Sequence, residues 1–281
     1  MKDQFEMLIF NIFKKFILIF PLKLRYKIAE VFGVFGYLLI CSRRELTFNN
    51  LKIAFPEKDL YEIKRIAINS YKNIAKTFFE LLWAEDLKIE LVGLEYLNAL
   101  REQKRGIILV SLHLGNWESG GMKLGKEFNI PFYPIARKQR NKLFDDELNK
   151  QRQKLGIYII HKGASTSPRL IIRALKNNGV LALICDQYGK DLTVDFFNKT
   201  TYAVSGPALL SLKFDVPVVF AYDIRVKNEY HKVIIKPEIK IEKTENTEND
   251  IKNGMQKIFN EFESVIKEDP EQWFWQHKRW R

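Results

Sequence analysis

From Trp83 onward, short apolar runs of strand type alternate with stretches of helical periodicity, and this alternation constrains the fold more than any other feature. The apolar runs are IELV, GIILV, PFYPIA, IYII, VLALIC and PVVFAYDIRV. Strands that alternate with helices predict an α/β fold with a largely parallel central sheet flanked by helices. The closing run, KVIIKPEIKIE, contains Pro237, which cannot donate to a strand ladder, so we expect an edge strand there.

The chain before this domain is helical in its periodicity up to about Trp83. It mixes Phe, Ile and Leu with basic residues, and its longest uncharged run, Val31–Ser42, has 12 residues. A spanning helix needs roughly 20 apolar residues, whereas basic residues among large apolar ones are typical of helices in a membrane interface. A pair of ordinary core helices is the alternative. We therefore expect an N-terminal helical, membrane-interface segment over 1–88 and an α/β domain over 89–281.

The charge of the chain indicates an anionic partner. The net charge is +12, and residues 123–176 carry 13 Lys and Arg against 4 Asp and Glu. Nucleic acid, acidic lipid and acidic carrier proteins would all fit this charge. The two cysteines, Cys41 and Cys185, lie in apolar runs without a CxxC partner, which favours a reducing compartment.

The octapeptide SLHLGNWE, Ser111–Glu118, follows the apolar run GIILV and holds the candidate catalytic residues. His113 is expected at the carboxyl end of a buried strand, where ligands of α/β sheets bind, and Glu118 in the first turn of the next helix. A carboxylate beside an imidazole fixes its tautomer and stabilises the imidazolium, as in serine hydrolases. No GxSxG nucleophile motif is present, so such a base would activate a hydroxyl of the substrate. The alternative is a satisfied core histidine with a solvated Glu118.

The segment HLGNWE resembles the H-x4-(D/E) motif of glycerolipid-type acyltransferases. The chain as a whole resembles one branch of them, the bacterial late acyltransferases of lipid A biosynthesis, which include lauroyl and myristoyl transferases. The resemblance rests on an ordered set of segments: NLKIAFPE, GIILVSLHLGNWE, ARKQRN, LFDDELNKQRQKLGIYIIHKG, CDQYG, FFNKTTYAVSGPALLSLKFDVPVV and PEQWFWQHKRW. It implies transfer of an acyl group from a thioester to a hydroxyl of a lipid sugar or of its attached acyl chain.

The same resemblance implies roles for individual residues. It makes His113 the general base and Glu118 its orienting acid. Arg152 lies where the family has a basic residue thought to bind a phosphate or the developing oxyanion. The remaining substrate-binding candidates are Arg137 and Asn141, which match an RxxxN spacing, Asp186 and Gln187 after the next strand, and Lys162 in the basic cluster. For Trp273 and Trp275 we expect structural packing, and a solvated basic face is the alternative for Arg137, Arg152 and Lys162.

The resemblance further implies the partners. These are acyl carrier protein, an anionic glycolipid and the cytoplasmic face of the inner membrane, to which the enzyme is attached peripherally or anchored through its N-terminal segment. We expect no metal and no cofactor, with acyl carrier protein or coenzyme A carrying the acyl group, because His161, His231 and His277 lack metal-ligand spacing. Acylation of lysophospholipid, glycerol phosphate or a mannolipid is the nearer alternative. A nucleic-acid binder is the distant one, favoured by charge alone and by no recognition motif.

Overall fold

The computed structural model describes residues 2–128, 130–138 and 140–281 and contains helices and strands in α/β alternation. The helices are α1 (Lys2–Ile19), α2 (Leu22–Leu39), α3 (Cys41–Ala54), α4 (Leu60–Glu80), α5 (Leu94–Glu102), α6 (Trp117–Phe128), α7 (Lys142–Lys154), α8 (Ser167–Lys176), α9 (Gly206–Phe214) and α10 (Thr247–Glu268). The strands are β1 (Lys88–Val92), β2 (Ile107–Ser111), β3 (Phe132–Ala136), β4 (Ile160–His161), β5 (Val180–Ile184), β6 (Leu192–Phe196), β7 (Lys199–Ala203), β8 (Val218–Lys227) and β9 (Tyr230–Glu238).

The main sheet has the order β1-β9-β8-β2-β5-β3-β4. Its strands pair in parallel except at β8 and β9, which form an antiparallel hairpin. The predicted α/β fold with a largely parallel sheet flanked by helices is therefore confirmed. One apolar core lies on the sheet face that carries α3, α4, α9 and α10, and a second lies on the face that carries α5 and α6.

The edge position expected for the last apolar run is wrong, because β9 lies between β1 and β8. Pro237 is compatible with this position because β1 is short. The pairing of β1 with β9 ends at Val92 and Ile234, so Pro237 lies beyond the residues that need to donate to β1. Two further elements, helix α5 and the β6–β7 hairpin, were not expected from the sequence.

The N-terminal helices pack on each other and on the α/β part. Helix α2 lies against α4, and a Cβ atom on Gly33 would stand 2.6 Å from the Cα atom of Lys72, so glycine permits the close approach. Helix α4 begins with a capping box formed by Asp59 and Glu62, and its apolar stripe enters the core beside the sheet. The division of the chain into an N-terminal segment, 1–88, and an α/β domain, 89–281, stays a prediction.

Helices α1 and α2 also carry large apolar side chains on the surface. On α1 they follow a helical stripe of positions 5, 9, 12, 16 and 19, and on α2 they include Val31, Phe32, Phe35, Leu38 and Leu39. Among the described residues, no helix combines the length and the hydrophobicity needed to cross a membrane.

Candidate active site

The candidate site lies at the carboxyl end of β2, in the middle of the main sheet. The strand is buried from Ile107 to Val110 and is paired on one side with β8 and on the other with β5. Ligands of α/β sheets bind beyond the carboxyl ends of the strands. His113 follows β2 by two residues and thus lies where the sequence predicted it.

The register of β2 and β5 brings His113 together with Asp186. Ser111 at the end of β2 is paired with Ile184 at the end of β5, and the two functional side chains each follow two residues later. The Nδ1 atom of His113 lies 2.7 Å from Oδ1 of Asp186, and the backbone N–H of His113 donates to Oδ2 at 3.0 Å. Asp186 therefore fixes both the ring and the backbone of the histidine.

Asp186 is held as a carboxylate in a buried position. Burial alone would raise its pKa, but the charge of His113, the hydrogen bonds from its ring and backbone, and a hydrogen bond from the indole of Trp273 hold the pKa of Asp186 below its usual value. The Nδ1 atom of His113 therefore carries the proton that it shares with the carboxylate. The other ring nitrogen, Nε2, is left as the basic one and lies 3.5 Å from the side-chain nitrogen of Gln187.

The expected contact between Glu118 and His113 is replaced by the contact between Asp186 and His113. Glu118 instead accepts a hydrogen bond from Nη2 of Arg152 at 3.2 Å. The physical reason is the strand pairing: parallel neighbours β2 and β5 end side by side, whereas Glu118 has already entered helix α6 and faces α7. A catalytic role for Glu118 stays a prediction, with Arg152 as its partner.

An apolar cavity opens beside the Glu118–Arg152 pair. Trp117, whose ring centroid lies 4.9 Å from that of His113, also lines this cavity. Its walls come from α6 and from the core of the sheet, including Met122, Leu124, Phe132, Ile157, Ile159 and Leu183. Trp117 thus connects His113 to an apolar cavity that Glu118 and Arg152 also line.

The other predicted residues fall into different places. Gln187 lies beside the basic nitrogen of His113. Asn141 donates to the backbone oxygen of Asp3 and to Glu6, and so contacts helix α1. Arg137 and Lys162 are exposed on the basic surface, and Gln139, within the quoted ARKQRN run, lies outside the described residues. Among the described residues, no group of three or more His, Cys, Asp and Glu could hold a metal ion.

The turn after His113 is held by a buried charged cluster that the sequence analysis did not identify. Its members are Glu80 on α4, Asp223 and Arg225 on β8, and His231 on β9. Arg225 donates twice to Glu80, from Nη2 at 2.6 Å and from Nε at 3.1 Å, and Nδ1 of His231 lies 2.9 Å from Oδ1 of Asp223. No local sequence signal marks this cluster, because its members come from three elements.

The cluster determines the conformation of the turn through Asn116 and Gly115. Asn116 donates its backbone N–H to Asp223 at 2.6 Å and its side-chain amide to Glu80 at 2.7 Å, while its own amide oxygen caps α6 by accepting from Ser119. Gly115 has a φ of +57°, and a Cβ atom there would lie 2.3 Å from the backbone oxygen of Asp223. Only glycine fits at this position.

Burial and charge act in opposite directions within this cluster. Burial alone would lower the pKa of His231, but the hydrogen bonds and charges of Asp223 and Glu80 raise it to about 9. Burial alone would raise the pKa of Glu80, but Arg225 and His231 lower it to about 2. His231 is therefore a protonated, paired side chain at neutral pH.

Comparisons with known proteins give the family of the chain. The family described as bacterial lipid A biosynthesis acyltransferase matches residues 2–281. The chain is 25% identical to the lipid A biosynthesis lauroyltransferase of Escherichia coli over 132 residues, which is 44% of this chain and 42% of that protein. It is 28% identical to the phosphatidylinositol mannoside acyltransferase of Mycobacterium tuberculosis, covering 46% of this chain and 42% of that protein. It is 23% identical to the lipid A biosynthesis palmitoleoyltransferase of E. coli, covering 85% of this chain and 79% of that protein. The aligned region thus spans less than half the length of the lauroyltransferase and of the mannoside enzyme.

Proposed function

Because the chain belongs to the bacterial lipid A biosynthesis acyltransferase family, we propose that it transfers a fatty acyl chain from an acyl thioester to a hydroxyl of a lipid A precursor or a similar glycolipid. The observation that carries this proposal is His113, with Nδ1 on the buried Asp186 and its ring against Trp117, which lines the apolar cavity. A base without an enzymatic nucleophile suits direct attack by a substrate hydroxyl.

In this reaction Nε2 of His113 removes the proton of the acceptor hydroxyl as its oxygen attacks the thioester carbonyl. A carbon–oxygen bond forms, the carbon–sulfur bond breaks, and the proton passes from His113 to the departing thiolate. Asp186 keeps the imidazole in the correct tautomer and stabilises the imidazolium, which is the usual contribution of a carboxylate at this position. Arg152 supplies positive charge for the developing oxyanion or for a phosphate of the acceptor.

The apolar cavity next to the Glu118–Arg152 pair suits the acyl chain of the donor. Gly121 lines this cavity, and a Cβ atom there would meet no atom within 4 Å. A larger side chain at position 121 would therefore occupy space that a long acyl chain needs. We expect Gly121→Leu to slow the transfer of long chains more than that of short ones.

Surface charge and apolar exposure support a proposal for the donor and for the localisation. Residues 123–176 supply a basic surface for acyl carrier protein, which we favour over coenzyme A as the carrier. The exposed apolar residues of α1 and α2, together with nearby lysines, suit attachment to the cytoplasmic face of the inner membrane. No further cofactor is part of the proposal.

Attachment is tested by vesicle sedimentation with point variants. Phe35→Asp combined with Leu39→Asp should weaken binding to anionic vesicles, because both exposed side chains would otherwise enter the interface. Val226→Asp, at an apolar position on β8 that is about as exposed as Phe35, is the matched control and should bind like the wild type. Equal binding by all three proteins would remove the role of α2 in attachment.

A mannolipid acceptor is the second candidate, favoured by the similarity to the phosphatidylinositol mannoside acyltransferase. Lysophospholipid and glycerol phosphate are further acceptors of the same chemistry. The nucleic-acid alternative rests on charge alone, and the apolar surface of α1 and α2 argues against it.

The decisive experiment incubates the protein with acyl carrier proteins that bear different chains and with each candidate acceptor, and then weighs the product lipid. The expected result is a lipid A precursor heavier by one acyl group, formed roughly 10²–10⁴-fold more slowly by His113→Ala. If product forms only from the mannolipid, the mannolipid replaces the lipid A precursor as the proposed acceptor. If no acceptor gives a product, the proposal is overturned.

A further inference from the structure

Trp273 lies in the C-terminal segment that crosses the active site after α10. Its indole Nε1–H donates to Oδ2 of Asp186 at 2.8 Å. The next residue, Phe274, donates its backbone N–H to the backbone oxygen of His113 at 3.0 Å. The segment therefore contacts both members of the His113–Asp186 pair, although Trp273 is separated from Asp186 by 87 positions in the sequence.

We propose that Trp273 is a positioning residue of the active site, whose indole N–H fixes the Asp186 carboxylate in the orientation that meets the His113 ring. This inference rests on the proposed function, since it assigns a role within that reaction. The sequence had indicated only packing for Trp273. The structure adds a directed hydrogen bond to the acid that holds the base.

The hydrogen bonds divide between the two oxygens of Asp186. Oδ1 contacts the His113 ring, while Oδ2 accepts from the His113 backbone and from Trp273. Three contacts on two oxygens fix the rotation of the carboxylate. A buried carboxylate that loses one donor is left with an unsatisfied position, so its orientation and its charge are both less well stabilised.

The titratable groups that face Asp186 are His113, Cys185, His277 and Arg279. Burial raises the pKa of Cys185 and lowers that of His277 to about 4 and that of Arg279 to about 10. These shifts keep Cys185 and His277 neutral and Arg279 charged near neutral pH.

The test is Trp273→Phe, which keeps an aromatic ring and removes the N–H. We expect kcat to fall about tenfold at neutral pH with KM for donor and acceptor unchanged, since the lost bond acts on the base and not on binding. The acid limb of the kcat/KM profile should move to higher pH by about one unit, because the lost donor stabilised the deprotonated pair. A residue that only fills space would lower stability without moving this limb.

Two neighbouring tryptophans are matched controls. Trp275, whose ring centroid lies 4.5 Å from that of Trp273, donates its N–H to the backbone oxygen of Pro270. Trp280 is buried in the same aromatic cluster, and its N–H has no acceptor among the described residues. Trp275→Phe and Trp280→Phe should leave the pH profile in place. Equal shifts in all three variants, or an unshifted profile for Trp273→Phe, would overturn the proposal.

A measurement on the wild-type chain covers the case in which Trp273→Phe does not fold. The chain has five tryptophans, so with ¹⁵N-labelled indoles the Trp273 signal is assigned by elimination from single Trp→Phe variants of the other four. Without any substrate, this signal should shift with pH at the midpoint of the acid limb, while the Trp275 signal stays fixed. A pH-independent Trp273 signal would overturn the positioning role, whereas a shift without acyl transfer to any acceptor would overturn only the proposed function.

Discussion

Within the part of the chain that the structure describes, two sites combine a His–Asp pair with a Glu–Arg pair, and they differ in what surrounds them. At the candidate active site the pairs are His113–Asp186 and Glu118–Arg152, and the side chains of His113 and Glu118 are 18% and 39% exposed. In the buried cluster the pairs are His231–Asp223 and Glu80–Arg225, and the side chains of His231 and Glu80 are 0% exposed. The same residue types therefore form one partly exposed site and one buried site.

The difference teaches that a histidine next to a carboxylate becomes a candidate base only when its second nitrogen is open. His231 has Asp223 at Nδ1 and Glu80 3.4 Å from Nε2, so both nitrogens face carboxylates. His113 has a carboxylate at Nδ1 only, and its Nε2 faces the neutral side chain of Gln187. Because Asn116 contacts Glu80 and Asp223, the buried cluster supports the turn that follows the open histidine.

The largest expected effect is a loss of activity without a loss of stability at the candidate active site. His113→Ala should lower acyl transfer by roughly 10²–10⁴-fold, the usual contribution of a positioned base, with little change in the free energy of unfolding. The measurement is transfer to a hydroxyl acceptor alongside denaturant unfolding. Turnover near the wild-type level would contradict the assignment of His113 as the base.

Glu80→Ala should have the largest effect on stability. It leaves the charges of Arg225 and His231 buried without their common partner, and the loss of one member of a buried ion pair typically costs about 3–5 kcal/mol. The matched substitution Glu118→Ala removes a partly exposed ion pair worth about 0–1 kcal/mol and should leave unfolding nearly unchanged. Equal losses in the two variants would erase the distinction between the buried and the open site.

The buried cluster should also give the protein a pH-dependent stability. The folded-state pKa of His231 is raised to about 9, above the unfolded value, so its contribution is fully present below about pH 6.5 and is lost as the pH rises through 9. The loss should reach about 3 kcal/mol at most. Denaturant unfolding between pH 6 and 10 should show this decline for the wild type and a flatter curve for His231→Gln. Parallel curves would mean that His231 is not charged in the folded state.

The smallest expected effect concerns the open Glu–Arg pair. Arg152→Ala should lower activity about tenfold, as expected when a hydrogen bond to a charged group is lost. If Arg152 supplies only charge, Arg152→Lys should retain most activity, whereas planar contact to a phosphate would make both variants weak. Unchanged activity in both variants would mean that Arg152 is only part of a solvated basic surface.

The sequence by itself determined the layout of the chain. Strand and helix periods are local properties, so the alternation after Trp83 was enough to predict the α/β sheet, and the position of His113 after the buried run GIILV placed it at a strand end. The run of Phe, Ile and Leu between basic residues likewise predicted N-terminal helices with an apolar surface. Each of these features depends on residues that are close together along the chain.

Only the tertiary structure decided which carboxylate serves the histidine. Glu118 is near His113 in sequence, but the parallel register of β2 and β5 brings in Asp186 from 73 positions away, and the C-terminal segment adds Trp273 from still further along the chain. The distinction between His113 as a candidate base and His231 as a buried histidine also comes from the tertiary structure. Both nitrogens of His231 face carboxylates because α4, β8 and β9 pack together. Strand order and long-range packing are set by the whole core, so no local pattern of residues encodes them.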